Sequence, residues 1–184
     1  MRLLGEVYEG WGGYQTSLVH AVTSLTAEQL AWRPAADRRS IGELTRHICL
    51  GRINWFVRMG APGIDLAASR VPEWATDADG ARQIVETAVT IDEAPDLLEW
   101  LDVSWHPVRR VLEEWSVADL AETYRHRFRG TDYVVSRQWT IWRILSHDMH
   151  HGGQIAMMLA LQGIDAFELR ALGGHIVSPP SLSP

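Results

Sequence analysis

The chain contains no lysine. All 17 basic residues are arginine, set against 23 acids for a net charge of -6. That balance argues against a nucleic-acid module, because such binding is driven by neutralising phosphates with basic side chains. The local runs Arg109 with Arg110, and Arg125 to Arg129, read as solvated surface. A single cysteine, Cys49, excludes an intramolecular disulfide framework and a metal-thiolate cluster, and fits a reducing cytoplasm. Long apolar runs are also missing. The opening residues LLGEVYEGWGG are broken by glycines and acids, so neither a signal peptide nor a membrane-spanning helix is expected. The expectation is therefore a cytoplasmic protein with no membrane or nucleic-acid partner. Its 184 residues suit one domain over residues 1–175 and a disordered tail over 176–184, ending in SPPSLSP.

What is present is helical periodicity. Residues 3–25 carry Leu4, Val7, Trp11, Tyr14, Leu18, Val22 and Leu25 on one stripe, despite four glycines that each cost about 1 kcal/mol relative to alanine. In residues 26–39, Thr26 caps a short turn through Gln29 and Pro34 ends it. Ser40 opens a second long helix with Glu43 completing a capping box, and Ile41, Leu44, Ile48, Trp55 and Met59 mark its inward face. Residues 60–89 lose the pattern and read as a long crossover or lid, with a short helix over 80–90. A third long helix spans 95–115, with a kink expected at Pro107. Between 116 and 136, AETYRHRF and TDYVVS alternate around Arg129-Gly130 and predict a hairpin. Tyr124, His126 and Phe128 would share one of its faces, and the alternation does not decide which face turns inward. A short helix is expected over 166–172.

The densest chemistry lies in residues 136–162, SRQWTIWRILSHDMHHGGQIAMMLALQ. His147 and His151, four apart, project from one helix face about 6 Å apart along the axis, a spacing that suits one metal ion. They fall on the stripe Ile144, His147, His151, Ile155 and Met158, where apolar side chains belong. The second position of an H-E-x-x-H motif is missing its glutamate, since Asp148 stands there. His47, beside the inward face of the second helix, can supply a third imidazole if the two helices pack at about 8 to 10 Å. His20 and His106 read as structural, and His126 reads as a packed strand residue with a substrate contact as the alternative.

The order WRPAADRRSIGELTRHI, then SHDMHHGGQI leading into an apolar helix and a Gly-Ile-Asp turn, resembles the DinB or YfiT-like family over nearly the whole chain. The resemblance implies an all-α, up-down-down-up four-helix bundle, often a homodimer. It also implies a divalent metal held by one histidine of the second helix and two of the fourth, here His47, His147 and His151. The family's His-Arg-Gly-Gln is replaced by His151-Gly152-Gly153-Gln154, so a contact made by that arginine is not expected.

Three neutral imidazoles suit zinc, nickel, copper or iron, with zinc or nickel placed first, and leave a position for water or substrate. A divalent ion without a carboxylate ligand keeps its full charge and can lower the pKa of a bound water or thiol. Glu43 and Asp148 are the candidate carboxylates for orienting a ligand histidine, each read as a surface helix residue. Arg143 is a candidate anion clamp and His150 a candidate substrate contact. Family members of this kind include thiol-dependent S-transferases, thiol-dependent isomerases and metal-dependent hydrolases. Transfer of a low-molecular-weight thiol to a small-molecule substrate is placed ahead of hydrolysis. The alternative outside enzymology is a metal-binding, stress-inducible protein without turnover.

Overall fold

The computed structural model describes residues 2–91 and 93–171 of the chain. The tail ending in SPPSLSP lies outside them. The described residues form helices α1 (Leu4–Val7), α2 (Glu9–Thr23), α3 (Ala27–Ala31), α4 (Ile41–Arg58), α5 (Ile64–Ser69), α6 (Ala94–Glu114), α7 (Arg137–Leu161) and α8 (Phe167–Ala171). Strands β1 (Trp74–Thr76) and β2 (Arg82–Ile84) pair antiparallel, as do β3 (Thr123–Phe128) and β4 (Thr131–Ser136).

Caps set several of these boundaries. The Thr26 hydroxyl accepts from the Gln29 amide at 3.2 Å, and Gln29 Oε1 accepts from the Thr26 amide at 2.9 Å. Ser40 and Glu43 do the same at the start of α4, at 3.2 and 2.9 Å. Each such cap is worth about 1 kcal/mol. The β3–β4 turn has both Arg129 and Gly130 at positive φ, 50° and 77°. That double left-handed turn matches the twist of paired strands, and glycine adopts it without a steric penalty.

Four expectations need correction. The first stripe is one helix only from Glu9 onward: Tyr8, at φ -112° and ψ 35°, separates α1 from α2, and Val7 is exposed rather than inward. The glycine-weakened first turn cannot hold one continuous helix while Leu4 reaches the backbone carbonyl of Trp115 at 2.9 Å. In α4 the inward stripe passes through Ile53 and Phe56, fully buried, whereas Trp55 is half-buried beside a cavity. The helix expected over 80–90 is instead β2 followed by a 3-10 turn, Glu86–Ala88. Pairing with β1, closed by a turn at Gly80 with φ 80°, outweighs the weak helical pattern there.

Helix α4 packs against both α6 and α7, and α2 lies against α6 and α7. Leu18, Ile48, Ile53, Phe56, Leu97, Leu101, Val108, Ile141, Ile155 and Leu159 are all fully buried between these helices. Each contributes about 1.5–3 kcal/mol of burial free energy. The two hairpins lie against these helices, β2 on α4 and β4 on α7, and the three clustered histidines come from the same two helices. No helix among the described residues is long and apolar enough to cross a membrane.

Candidate metal centre

Helices α4 and α7 bring His47, His147 and His151 together, each half-buried, with a candidate ligand atom on every ring within 4.8 Å of those on the others. Ring centroids lie 4.9 Å apart for His47 and His147, 5.0 Å for His47 and His151, and 4.5 Å for His147 and His151. Close approach of the helices depends on Gly51, where a Cβ would stand 3.0 Å from His147 Cε1.

Each ring has a polar atom near its Nδ1. For His47 it is Glu86 Oε1 at 2.8 Å, and for His151 it is Gln154 Oε1 at 2.7 Å. A proton on Nδ1 donated to these oxygens leaves Nε2 as the lone-pair atom; the tautomer is assigned from the partners. His147 Nδ1 is buried without a hydrogen bond and lies 3.8 Å from Asp148 Oδ1, which is likewise unpartnered, a separation too long for a hydrogen bond. The Nε2 atoms of His47 and His147 face each other at 3.2 Å. Two zinc-bound nitrogens at about 2.05 Å in tetrahedral geometry stand about 3.3 Å apart, so this donor set fits a divalent ion. Burial, with His147, His47 and His150 as neighbouring rings, lowers the His151 pKa to about 4 against a raising contact from Gln154. The ring is therefore neutral at neutral pH, the form that can ligate a metal.

Glu86 and Gln154 had no role in the sequence reading. Glu86 sits in the 3-10 turn of the crossover, which Arg46 Nη1 fastens to α4 by donating to the Val89 carbonyl at 3.0 Å. The hydrogen bond from His47 holds the Glu86 carboxyl below the usual carboxylate range, with Arg39 and Arg46 contributing, although burial opposes them. No periodic signal marks this residue. Gln154, on α7 three positions after His151, was legible in principle from its spacing.

The other candidates stand as follows. Glu43 is engaged by Arg33 through two contacts of 2.5 and 2.6 Å, besides capping α4. Asp148 is fully buried, not a surface residue: its Oδ2 accepts from Arg52 Nε at 2.8 Å and from Trp11 Nε1 at 3.1 Å. The equally buried Arg52 donates on to Gln15 Oε1 at 2.7 Å. Tyr14 donates to the Asp148 backbone carbonyl at 2.5 Å, and its ring lies against Gly152, where a Cβ would be 1.8 Å from the hydroxyl. Position 152 thus has no room for any side chain, which accounts locally for glycine in place of arginine. His150 is exposed, its ring 4.9 Å from that of His151. His20 meets Glu168 at 3.0 Å on the surface, and His106 packs against Gly63. Burial pushes the Cys49 thiol up to about 11, so it is no nucleophile.

Arg143 and Trp139 precede His147 by one and two turns on the same side of α7 and enter a cavity of about 800 Å³. Trp55 and Arg58 of α4 form its floor, and Phe128 and Val134 of the second hairpin one wall. The inward face of that hairpin carries Tyr124, bonded to Thr140 Oγ1 at 2.6 Å, and His126, 5.0 Å from the Trp55 ring. The crossover hairpin closes the far side: Asp79 accepts the backbone amides of Arg129 and, at 2.6 Å, Gly130.

No curated protein matches the chain. Its fold is similar to the crystal structure of a DinB-like protein from Bacillus cereus ATCC 10987, with a TM-score of 0.60 at 16% identity, covering 86% of this chain and 91% of that one. The sequence profile of the DinB superfamily matches residues 14–155, a span that includes all three clustered histidines. The chain belongs to the DinB superfamily.

Proposed function

We propose that this protein is a metal-dependent enzyme that transfers a low-molecular-weight thiol to a small electrophilic substrate. The observation that carries the reading is the convergence of three imidazoles, one helical turn along α7 from Arg143, which lines a large, partly polar cavity. A divalent ion there, zinc or nickel, would supply Lewis acidity and favour the thiolate over the thiol at neutral pH. The chain's own part is to present the three Nε2 atoms, with Glu86 and Gln154 setting the orientation of two rings. Three protein ligands leave room for a substrate atom.

Thiol transfer is favoured over hydrolysis by the state of the nearby carboxylates. Glu86 is held by His47, Glu43 by Arg33 and Asp148 by Arg52 and Trp11. Each is engaged by a cation or a ring nitrogen, Asp148 through one of its two oxygens only and with no exposed surface, which weakens all three as bases toward an attacking water. A thiolate needs no such base.

The same reading takes the long helices α2, α4, α6 and α7 as an up-down-down-up four-helix bundle in a cytoplasmic homodimer. Contacts of α4 and α2 with both α6 and α7 support the bundle. An exposed apolar face of α7, formed by Trp142, Met149 and Met157, supports a second copy as the partner; light scattering on Trp142→Glu, expected to be monomeric, checks it.

The test begins with metal analysis of the purified protein, which should contain close to one divalent ion per chain, lost in His47→Ala, His147→Ala and His151→Ala. Full metal retention in all three variants would falsify the centre. Turnover is then measured with an electrophile and a panel of cellular thiols, beside ester and amide substrates. Metal-dependent loss of thiol supports transfer, metal-dependent ester or amide cleavage replaces it with a hydrolase, and no turnover leaves a metal-binding stress protein.

A further inference from the structure

Two guanidinium groups, Arg58 and Arg143, line the cavity with no ion pair to either among the described residues. Arg58 Cζ and Arg143 Cζ each lie 4.8 Å from the centre of the Trp55 ring, and Arg143 is also 5.4 Å from that of Trp139. Arg58 Nε is buried without a hydrogen bond, as is Asn54 Oδ1 one turn before it. The carboxylates on the cavity wall are committed elsewhere. Asp77 accepts the amides of Asp79 and Ala81 and the Gln83 side chain, and Asp79 closes the hairpin turn. Asp77 draws on Arg58 only through space, while burial and the like charge of Arg143 disfavour the Arg58 cation.

Two like charges held near one indole, one with an unused buried donor, form an arrangement that an anion completes. Trp55, Trp139, Phe128 and Val134 provide flat and apolar surface around it. From these observations we infer that the cavity binds an organic anion, its carboxylate held by Arg58 and Arg143 and its planar or apolar body against Trp55, Trp139 and Phe128. Arg143 is one helical turn, about 6 Å along the axis, from His147, which puts the clamp within a small ligand's length of the metal centre. The inference rests on that centre being a reaction site and deepens the reading above: the substrate, or the thiol itself, is a carboxylate.

Calorimetric titration with 2-naphthoate, and with uncharged 2-naphthamide as the control, tests it on the full chain, both chelator-treated and zinc-loaded. Naphthoate should bind one per chain in both forms, about a hundredfold tighter than the amide, as expected for two charge-assisted contacts of about tenfold each. Arg58→Gln and Arg143→Gln should each weaken naphthoate about tenfold and leave the amide unchanged, with Arg143→Lys intermediate. Far-UV circular dichroism and retained amide binding show that these variants are folded. Equal affinity for the two probes, no effect of either glutamine variant, or no saturable naphthoate binding overturns the inference. Binding that appears only with zinc and disappears in His147→Ala also overturns it, placing the carboxylate on the metal. Binding that survives in the chelated protein stands even if the histidine variants disprove the metal centre, so the two failures are separable.

Discussion

Glu86 Oε1 lies 2.8 Å from His47 Nδ1, so a residue of the crossover, 39 positions away, orients a histidine of α4. Replacing Glu86 with glutamine keeps an oxygen in place but removes the charge that strengthens the imidazole as a donor. Zinc affinity should fall by about tenfold or more, as competition with a chromophoric chelator measures. Glu86 retains some exposure, so the thermal midpoint of the metal-free protein should change little. Unaltered zinc affinity would show that the contact does not tune His47.

Arg52 and Asp148 form an ion pair with no exposed side-chain surface, beneath the histidines. Breaking such a pair from one side leaves a charge buried. Arg52→Met and Asp148→Leu should each cost about 3–5 kcal/mol in urea denaturation, and the double variant less than their sum. Additive losses would mean that the two residues act separately.

Gly152 is packed against the Tyr14 hydroxyl, where a Cβ would stand at 1.8 Å. Gly152→Ala should destabilise the protein by about 2 kcal/mol through overpacking, despite the better helix propensity of alanine. Tyr14→Phe in the same chain removes the colliding oxygen and should recover part of the loss. The two thermal midpoints decide this, since a stabilised Gly152→Ala variant contradicts the packing.

Glu43 carries the clearest pH dependence. The hydrogen bonds from Arg33 hold its carboxyl below the ordinary value of 4.5, against a smaller raising effect of burial. A carboxyl with a depressed folded pKa stabilises the fold above its unfolded value, and that contribution is lost as pH falls through the folded value. The small stability difference between wild type and Glu43→Gln, as for any largely solvated pair, should be constant above pH about 5 and shrink toward zero in more acid solution. Chemical denaturation across that range measures it, and a difference independent of pH would remove the ion pair as its cause.

Much of the helical pattern was legible because its signals are local. Ser40 with Glu43 and Thr26 with Gln29 close three-residue hydrogen-bonded loops, and the Arg129-Gly130 turn sets the hairpin register. Periodicity sets Trp55 on the apolar stripe of α4 because it cannot separate a core face from a cavity face one residue away. In the crossover, short strands and a 3-10 turn have too few residues for either period to emerge.

The sequence by itself determined the chemistry available: three imidazoles on two helices, two of them four residues apart, and caps that place those helices. Spacing along one helix is a property of neighbours, so it survives without knowledge of the fold. Only the tertiary structure decided that Glu86 rather than Glu43 meets His47, that Asp148 is buried on Arg52 from 96 positions away, and that Arg58 and Arg143 share a cavity. Those pairings depend on which faces of distant segments come together once apolar surface is buried, and no local pattern encodes them. The two histidines that stand on an apolar stripe are, in the folded chain, half-buried at the edge of the core, where His47 of α4 meets them.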